Sequence, residues 1–357
     1  MYFLPADPPA PDEVLPALLN AAVQAGASDL EVADGVPPMF KLYGEVARLP
    51  DEWTMPSLVE ALQEALPRDA LSDVAERRTL DRDMSIAFPN LGRFRLNLYY
   101  HMGALAAVFR VVPTAIPNFN ELGLPREVLR MVEVRSGIFL ITGATASGKS
   151  TTMATLVDHI NKRYPRKILT IEDPIEFLHE NKRGYVVQRE VGSDTATFEG
   201  ALRAGMRQAP DVIVVGEMRD PETIALALTA AETGHLVLAT LHTSGAVGAI
   251  SRIVDAVGEG LQAQARVQLG EKLLGVVSQQ LLPRKDGNGL VLAYEIMRGT
   301  DAVRSKIRDG QMHQLAAELE NVADGHHPMS KSLAELVRDS VIDEGTALAA
   351  GWHRSRM

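Results

Sequence analysis

The sequence contains no cysteine, which excludes disulfides, cysteine nucleophiles and zinc sites built on thiolates, and which fits a reducing cytosol. Long apolar runs are also missing: stretches such as Val212 to Val215 have the length of a strand, whereas a bilayer span needs roughly 20 residues. The first residues lack a basic region followed by an apolar one, so we expect no secretion signal. Positive charge is in the minority, with a formal net charge of −10, and we therefore expect no nucleic-acid partner.

The length of 357 residues predicts two domains, or three, and 46% hydrophobic residues suffice for ordinary cores. Residues 1–13 form a Pro-rich tail that we expect to be mobile, and we assign it no function. Residues 14–112 mix helical and alternating patterns, including a predicted helix from Met55 to Leu66, and indicate a small α/β domain. Two closely spaced prolines then predict a linker over residues 113–125.

Residues 126–357 alternate between strand and helix patterns, which predicts an α/β domain with a mostly parallel sheet flanked by helices. From about residue 246 the pattern becomes mainly helical. A hairpin interrupts this helical part, with its turn at residues 285–289.

Residues Gly143 to Ser150 have the sequence G-A-T-A-S-G-K-S, between an apolar strand and a helical pattern. In a phosphate-binding loop of this kind, backbone N–H groups converge on an anion at a helix N-terminus, where the helix dipole favours negative charge. Lys149 then reaches the β- and γ-phosphates, and Ser150 ligates Mg²⁺. The alternative is a Gly-rich turn that only joins strand to helix. We predict that ATP binds to Thr145, Ala146, Ser147, Gly148, Lys149, Ser150 and Thr151.

Two further strands end in carboxylates. The apolar strand that begins at Asp211 runs into Glu217, which we expect to position or deprotonate the attacking water. A second strand ends in the run from Glu172 to Glu176, which holds three carboxylates within five residues. Carboxylates beside a triphosphate need a cation between them, so we predict that Ser150, Glu172 and Glu176 serve Mg²⁺, in part through water. The plainer alternatives are a solvated glutamate at a strand end and a solvated acidic turn.

Two histidines, His235 and His242, bracket the strand from Leu236 to Thr240. A single histidine there is more often a surface or core residue. A pair that brackets a strand next in order to the Glu217 strand can sense the γ-phosphate or link subunits.

Taken together, these motifs resemble the secretion ATPases of type II secretion and type IV pili, most closely the PilT/PilU retraction branch. The matching segments are 143–152, 168–177, 187–191, 210–220, 230–235 and 241–243, together with 27–30 and 36–38 near the start and 279–281 later in the chain.

The resemblance implies a PAS-like N-terminal domain, a RecA-like C-terminal domain, and a ring-shaped homohexamer that hydrolyses ATP at its subunit interfaces. It assigns catalytic positions to Glu176, Glu217, His235 and His242. It also implies a cytoplasmic location at the inner face of the cytoplasmic membrane. The implied partners are an inner-membrane pilus platform protein and a paralogous retraction ATPase.

Three arginines of the N-terminal domain are further catalytic candidates. Arg93 and Arg95 alternate along one strand and share a face, and Arg110 ends the next strand. Ring ATPases gain rate when a guanidinium from a neighbouring domain or subunit reaches the γ-phosphate. The alternative is a row of arginines on a solvated sheet face.

Departures from the family pattern leave other functions open. The chain lacks the four-cysteine zinc site of the assembly ATPases, which favours the retraction branch. In contrast, residues 302–309 keep only Ala302, Arg304, Ile307 and Arg308 of the retraction motif, and segments 207–211 and 238–242 resemble the accessory PilU type. The alternatives are an ATPase that powers export and a nucleotide-binding ring that no longer hydrolyses ATP. A nucleic-acid translocase is disfavoured by the acidic charge balance.

Overall fold

The computed structural model describes residues 8–10, 13–42, 45–55, 57–63, 66, 68–76, 79–88, 91–113, 115–258 and 260–352. Most of the Pro-rich tail predicted over residues 1–13 lies outside the described residues. The chain divides into two compact units, Met1–Thr114 and Ala115–Met357. Within the described ranges, every helix is too short or too polar to cross a membrane.

The first unit is built on a six-stranded antiparallel sheet with the strand order β3-β2-β1-β6-β5-β4. Its elements, in chain order, are α1 (Val14–Ala25), β1 (Asp29–Ala33), β2 (Val36–Leu42), β3 (Glu45–Arg48), α2 (Leu58–Leu62), α3 (Arg68–Ala75), β4 (Asp81–Phe88), β5 (Gly92–His101) and β6 (Ala104–Val111). Along β5, Phe94, Leu96 and Leu98 are buried and alternate with polar residues, as the sequence pattern predicts.

The helix predicted from Met55 to Leu66 is wrong in its bounds, since α2 spans Leu58–Leu62. Helix α2 begins only after Ser57, whose hydroxyl caps it by accepting a hydrogen bond from the Glu60 backbone N–H at 3.3 Å. A separate helix, α3, follows. Helix α3 lies beyond the predicted range and is absent from the sequence-based prediction.

The second unit contains a seven-stranded sheet with the strand order β13-β12-β7-β11-β10-β8-β9. Its elements are α4 (Glu127–Val132), β7 (Gly137–Thr142), α5 (Lys149–Arg163), β8 (Lys167–Glu172), β9 (Tyr185–Glu190), α6 (Phe198–Gly205), β10 (Val212–Val215), α7 (Pro221–Glu232), β11 (Leu236–Leu241), α8 (Ala246–Ala256), α9 (Gln262–Lys272), β12 (Leu273–Pro283), β13 (Leu290–Arg298), α10 (Asp301–Arg308), α11 (Leu315–Leu319), α12 (Met329–Arg338) and α13 (Glu344–Ala349).

All neighbouring strands of this sheet are parallel except the β12–β13 pair, so the predicted mostly parallel α/β sheet is confirmed. The core strands β7 and β11 are buried along their whole length. The segment predicted as a linker contributes Phe119 and Leu124 to the buried core of this unit.

The hairpin predicted near residues 285–289 forms, but its role differs from the expectation of a mainly helical end. Strand β12 pairs in parallel with β7 and thereby joins the central sheet, and β13 closes that edge. The pairing joins segments far apart in the chain, which local pattern cannot reveal. Since β7, β8, β10 and β11 run in parallel, the residues that follow them meet at one edge, where open α/β sheets bind ligands.

Candidate active site

The phosphate-binding loop follows β7 and needs glycine at two positions. At Gly143 the backbone has φ of 144°, and a Cβ there would lie 2.4 Å from the Gln279 carbonyl oxygen on β12. At Gly148 the φ of 87° forms the left-handed N-cap of α5. The loop therefore closes against β12 and aims the first turn of α5 at the carboxyl edge of the sheet.

Ala146 has a φ of 63°, a left-handed conformation that favours glycine. A Cβ adds strain in this conformation. The structure places Ala146 in that region, so this loop carries local strain.

Lys149 lies almost fully buried at the start of α5, with 7% of the residue exposed. Its ammonium group donates hydrogen bonds to the carbonyl oxygens of Gly143 and Ala144, both at 2.8 Å. Burial lowers the pKa of Lys149, while the negative charges of Glu217 and Glu176 act in the opposite direction. The cation is thus held beside the loop, facing two carboxylates across the cleft.

Glu217 follows β10, and two basic side chains hold its carboxylate. Its Oε2 atom forms an ion pair with the Arg219 guanidinium at 2.7 Å and lies 3.3 Å from Nε2 of His242, which follows β11. The preceding residue, Gly216, receives a hydrogen bond from the Thr240 hydroxyl on its carbonyl oxygen. These contacts fix the position of the Glu217 carboxylate between two adjacent strands.

Glu172 ends β8 and begins the acidic loop, which we define as residues 173–179. Its Oε1 atom accepts hydrogen bonds from the Thr170 hydroxyl at 2.6 Å and from the Gln188 amide at 3.2 Å. Burial raises the pKa of the Glu172 carboxyl, and these hydrogen bonds partly offset that shift. The side chain of Glu176 is exposed at the cleft.

A cleft of about 420 Å³ gathers most of the predicted residues at the carboxyl edge of the sheet. Its lining includes the loop residues Thr145, Ala146, Ser147, Gly148, Lys149, Ser150 and Thr151 and the predicted side chains Glu172, Glu176, Glu217 and His242. A polar loop, a buried cation and several carboxylates therefore share one cavity that is large enough for a small-molecule ligand.

His235 does not reach this cleft. It precedes β11, at the opposite edge of the sheet from His242, and its Nδ1 atom lies 2.9 Å from the Ala230 carbonyl oxygen. The two bracketing histidines are thus separated by the length of a six-residue strand, roughly 20 Å.

The three predicted arginines belong to the first unit. Arg95 on β5 lies directly opposite Arg110 on β6, and Arg110 donates to the Asp29 carboxylate at 2.8 Å. Arg93 lies two residues before Arg95 on β5, so the two side chains are on the same face of that strand. All three therefore lie on one face of the N-terminal sheet.

Sequence reasoning missed several residues of the site. Gln188 donates to the Glu172 carboxylate, and Thr240 donates to the Gly216 carbonyl oxygen that precedes Glu217. His179 and Phe177 line the cleft. Thr240 offered a weak signal, since it is a lone hydroxyl in an apolar strand. Gln188 lay in a family motif to which no role was given.

Residues kept from the retraction motif have contacts within the chain. The Arg304 guanidinium donates twice to the Leu273 carbonyl oxygen, at 3.0 and 2.8 Å, and Ile307 is fully buried. Arg308 packs against Gly270, where α9 and α10 cross closely. The contacts of Arg304, Ile307 and Arg308 within the chain therefore explain why these residues are present.

Comparison with known proteins gives a family and close relatives. The model of the family described as type II/IV secretion system protein matches residues 14–319. The chain is 42% identical to the type IV pilus retraction ATPase PilT of Pseudomonas aeruginosa, over 92% of this chain and 96% of that protein. It is 36% identical to the type IV pilus ATPase PilU of the same species, over 93% and 87% of the two chains.

A solved structure described as the pilus retraction motor PilT with bound ADP superposes with a TM-score of 0.87 at 39% identity. The match covers 97% of this chain and 98% of that one. The similarity therefore extends over both units.

Proposed function

This chain belongs to the type II/IV secretion system protein family, and from that premise we propose that it is an ATP-hydrolysing motor that drives type IV pilus retraction. The observation that carries this proposal is that buried Lys149 and Glu217 line the same cleft, with the Glu217 carboxylate held by Arg219 and His242. The first supplies charge for the phosphates of ATP, and the second supplies a group that orients water.

Nucleotide binding is assigned to the loop from Thr145 to Thr151. Its backbone N–H groups and the N-terminus of α5 receive the phosphates, and Lys149 transfers its hydrogen bonds from the loop carbonyls to the β- and γ-phosphate oxygens. Burial lowers the pKa of Lys149. A phosphate anion beside the ammonium group acts in the opposite direction and favours the charged form.

Mg²⁺ fits the same cleft as a cation shared with the nucleotide. Among the described residues, no group of three or more His, Asp or Glu side chains is arranged to hold a metal alone. The Ser150 hydroxyl and the carboxylates of Glu172 and Glu176 would hold the ion together with phosphate oxygens. When bound, Mg²⁺ neutralises charge that develops on the transferring phosphoryl group.

Hydrolysis is assigned to Glu217, which orients the attacking water and accepts its proton, while His242 contacts the same carboxylate. Assembly is assigned to a homohexamer with domains at residues 14–112 and 126–357. In that ring the arginines Arg93, Arg95 and Arg110 act on a neighbouring subunit's nucleotide, and His235 contributes to contacts between subunits. Its partners are a pilus platform protein at the inner face of the cytoplasmic membrane and a paralogous retraction ATPase.

The test is recovery of twitching in a piliated bacterium that lacks its own retraction ATPase. The wild-type chain should restore twitching, and Lys149→Ala should not, with equal amounts of both proteins in the cell. Native mass spectrometry of the purified chain should give a hexamer. Normal ATP hydrolysis with no recovery of twitching and no effect on pilus number would favour the alternative of an ATPase that powers export.

A further inference from the structure

Strand β9 carries a motif, Val187 to Val191, to which the proposed mechanism gives no role. This strand forms the outer edge of the sheet, in parallel with β8, whose end carries Glu172. Its residues Gln188 and Glu190 are two positions apart, so their side chains leave the same side of the strand. Both side chains contact the acidic loop.

Gln188 makes three hydrogen bonds with its single amide group. Its Nε2 donates to the Phe177 carbonyl oxygen at 2.8 Å and to Glu172 Oε1 at 3.2 Å. Its Oε1 accepts from the His179 backbone N–H at 2.8 Å. A backbone carbonyl only accepts and a backbone N–H only donates, so these partners determine which end of the amide is which. Glutamine is the residue type that satisfies all three.

Glu190 holds the other end of the loop. This residue is 2% exposed, and its Oε2 accepts from the Ile175 backbone N–H at 2.9 Å. Its Oε1 also accepts from the Ser193 hydroxyl at 3.3 Å. With these two hydrogen bonds, the Glu190 carboxylate acts as a buried support for the loop.

The two side chains attach the acidic loop at Ile175, Phe177 and His179, which flank Glu176 on both sides. The backbone of Glu176 is therefore fixed while its carboxyl group remains exposed to the cleft. Gln188 also orients the Glu172 carboxylate directly. Side chains of one edge strand thus contact the Glu172 carboxylate and the backbone on both sides of Glu176.

We propose that Gln188 is a positioning residue that sets the carboxylates of Glu172 and Glu176 for the Mg²⁺ ion of a bound Mg²⁺–ATP complex. The proposal rests on the nucleotide and metal assignment made above. Gln188 itself does not touch the nucleotide or the metal in this scheme. Outer partners that orient metal-binding carboxylates change metal affinity by about 10- to 100-fold when they are removed.

Two substitutions separate the loss of the hydrogen bonds from the addition of charge. Gln188→Met keeps the length of the side chain but removes all three hydrogen bonds. Gln188→Glu keeps an acceptor for the His179 N–H, loses both donors and sets a second carboxylate beside Glu172. Gln264→Glu is the matched control, because it makes the same chemical change at an exposed position on α9.

The experiment measures the Kd of a non-hydrolysable ATP analogue with Mg²⁺ and with a chelator. In both Gln188 variants, the Kd with Mg²⁺ should rise by about tenfold or more, while the Kd in chelator stays at the wild-type value. Amide hydrogen exchange over residues 175–179 should become faster, most in Gln188→Met. Gln264→Glu should match the wild type in every measurement.

Three results would overturn the proposal. The first is an unchanged Kd with Mg²⁺ in both variants, and the second is unchanged exchange in the acidic loop. The third is an equal rise of Kd with and without Mg²⁺, since this indicates general damage to the cleft. If the wild-type chain bound no analogue under either condition, the nucleotide assignment itself would fail, and the exchange data would still decide whether Gln188 holds the loop.

Discussion

The Oε2 atom of Glu217 lies 3.3 Å from Nε2 of His242 and 2.7 Å from the guanidinium of Arg219. His242 and Glu217 follow neighbouring parallel strands, so the sheet itself sets their separation. A carboxylate held by two basic groups has a fixed direction, which is what the orientation of one water molecule requires.

Glu217→Gln should leave ATP bound but unhydrolysed. The amide keeps the shape of the side chain and loses the carboxylate that accepts a proton, an effect worth about 10²–10⁴ in rate. Filter binding of labelled ATP and single-turnover phosphate release measure the two steps separately. If Glu217→Gln released phosphate at the wild-type rate, the catalytic role would move to Glu176.

Gly143→Ala should weaken nucleotide binding by about 10- to 100-fold, since the added Cβ meets a β12 carbonyl oxygen and distorts the loop. Ala146→Gly is the matched change in the opposite direction. It should keep nucleotide binding and raise the free energy of unfolding by about 0.5–1 kcal/mol, because φ at this position is 63°. Titration calorimetry and urea unfolding measure these effects. Equal nucleotide affinity in both variants would contradict the loop geometry.

The second unit should lose stability in acid through His179. Burial lowers the pKa of this histidine to about 4, whereas the unfolded chain takes up the proton near pH 6.5. The contribution of His179 to the free energy of unfolding is therefore fully present above pH 6.5. It is lost as the pH falls from about 6.5 towards 4, by on the order of 1–2 kcal/mol at pH 5.

His179→Gln should reduce that loss, and His313→Gln, at an exposed position, should not. Urea unfolding at pH 7 and pH 5 compares the three proteins. The same acid loss in His179→Gln as in the wild type would show that His179 is not its source.

Arg95→Ala should abolish turnover by the pure variant, yet mixing it with inactive Glu217→Gln should restore part of the activity. If the arginines act on a neighbouring subunit, some interfaces of a mixed ring pair an intact arginine with an intact glutamate. An arginine of this kind is worth roughly 10³–10⁵ in rate. Mixed hexamers, confirmed by mass, that recover no turnover would leave Arg93, Arg95 and Arg110 with a structural role on the N-terminal sheet.

The phosphate-binding loop could be predicted because its glycines, Lys149 and Ser150 lie within one short segment of the chain. Their spacing in that segment is typical of one local backbone shape. The cleft position of Glu217 was likewise predictable, since an apolar strand leads directly into it. Such features depend on chain neighbours, which a sequence displays.

The contacts of Gln188 could not be predicted in the same way. Its partners lie 9 to 16 residues away and meet it only when β9 pairs with β8. The place of β12 beside β7 also depends on a distant pairing. The histidine pair illustrates the limit further: both residues border one strand, but only the residue at its carboxyl end reaches the cleft.

The central claim, that this cleft hydrolyses ATP, is tested most directly by the rate of phosphate release from Mg²⁺–ATP by the purified protein. The wild-type chain should turn over, and Lys149→Ala should fall to background, because the buried ammonium opposite Glu217 is lost. Lys162→Ala removes an exposed lysine from the same helix and should retain the wild-type rate. Phosphate release by Lys149→Ala at the wild-type rate would contradict the account.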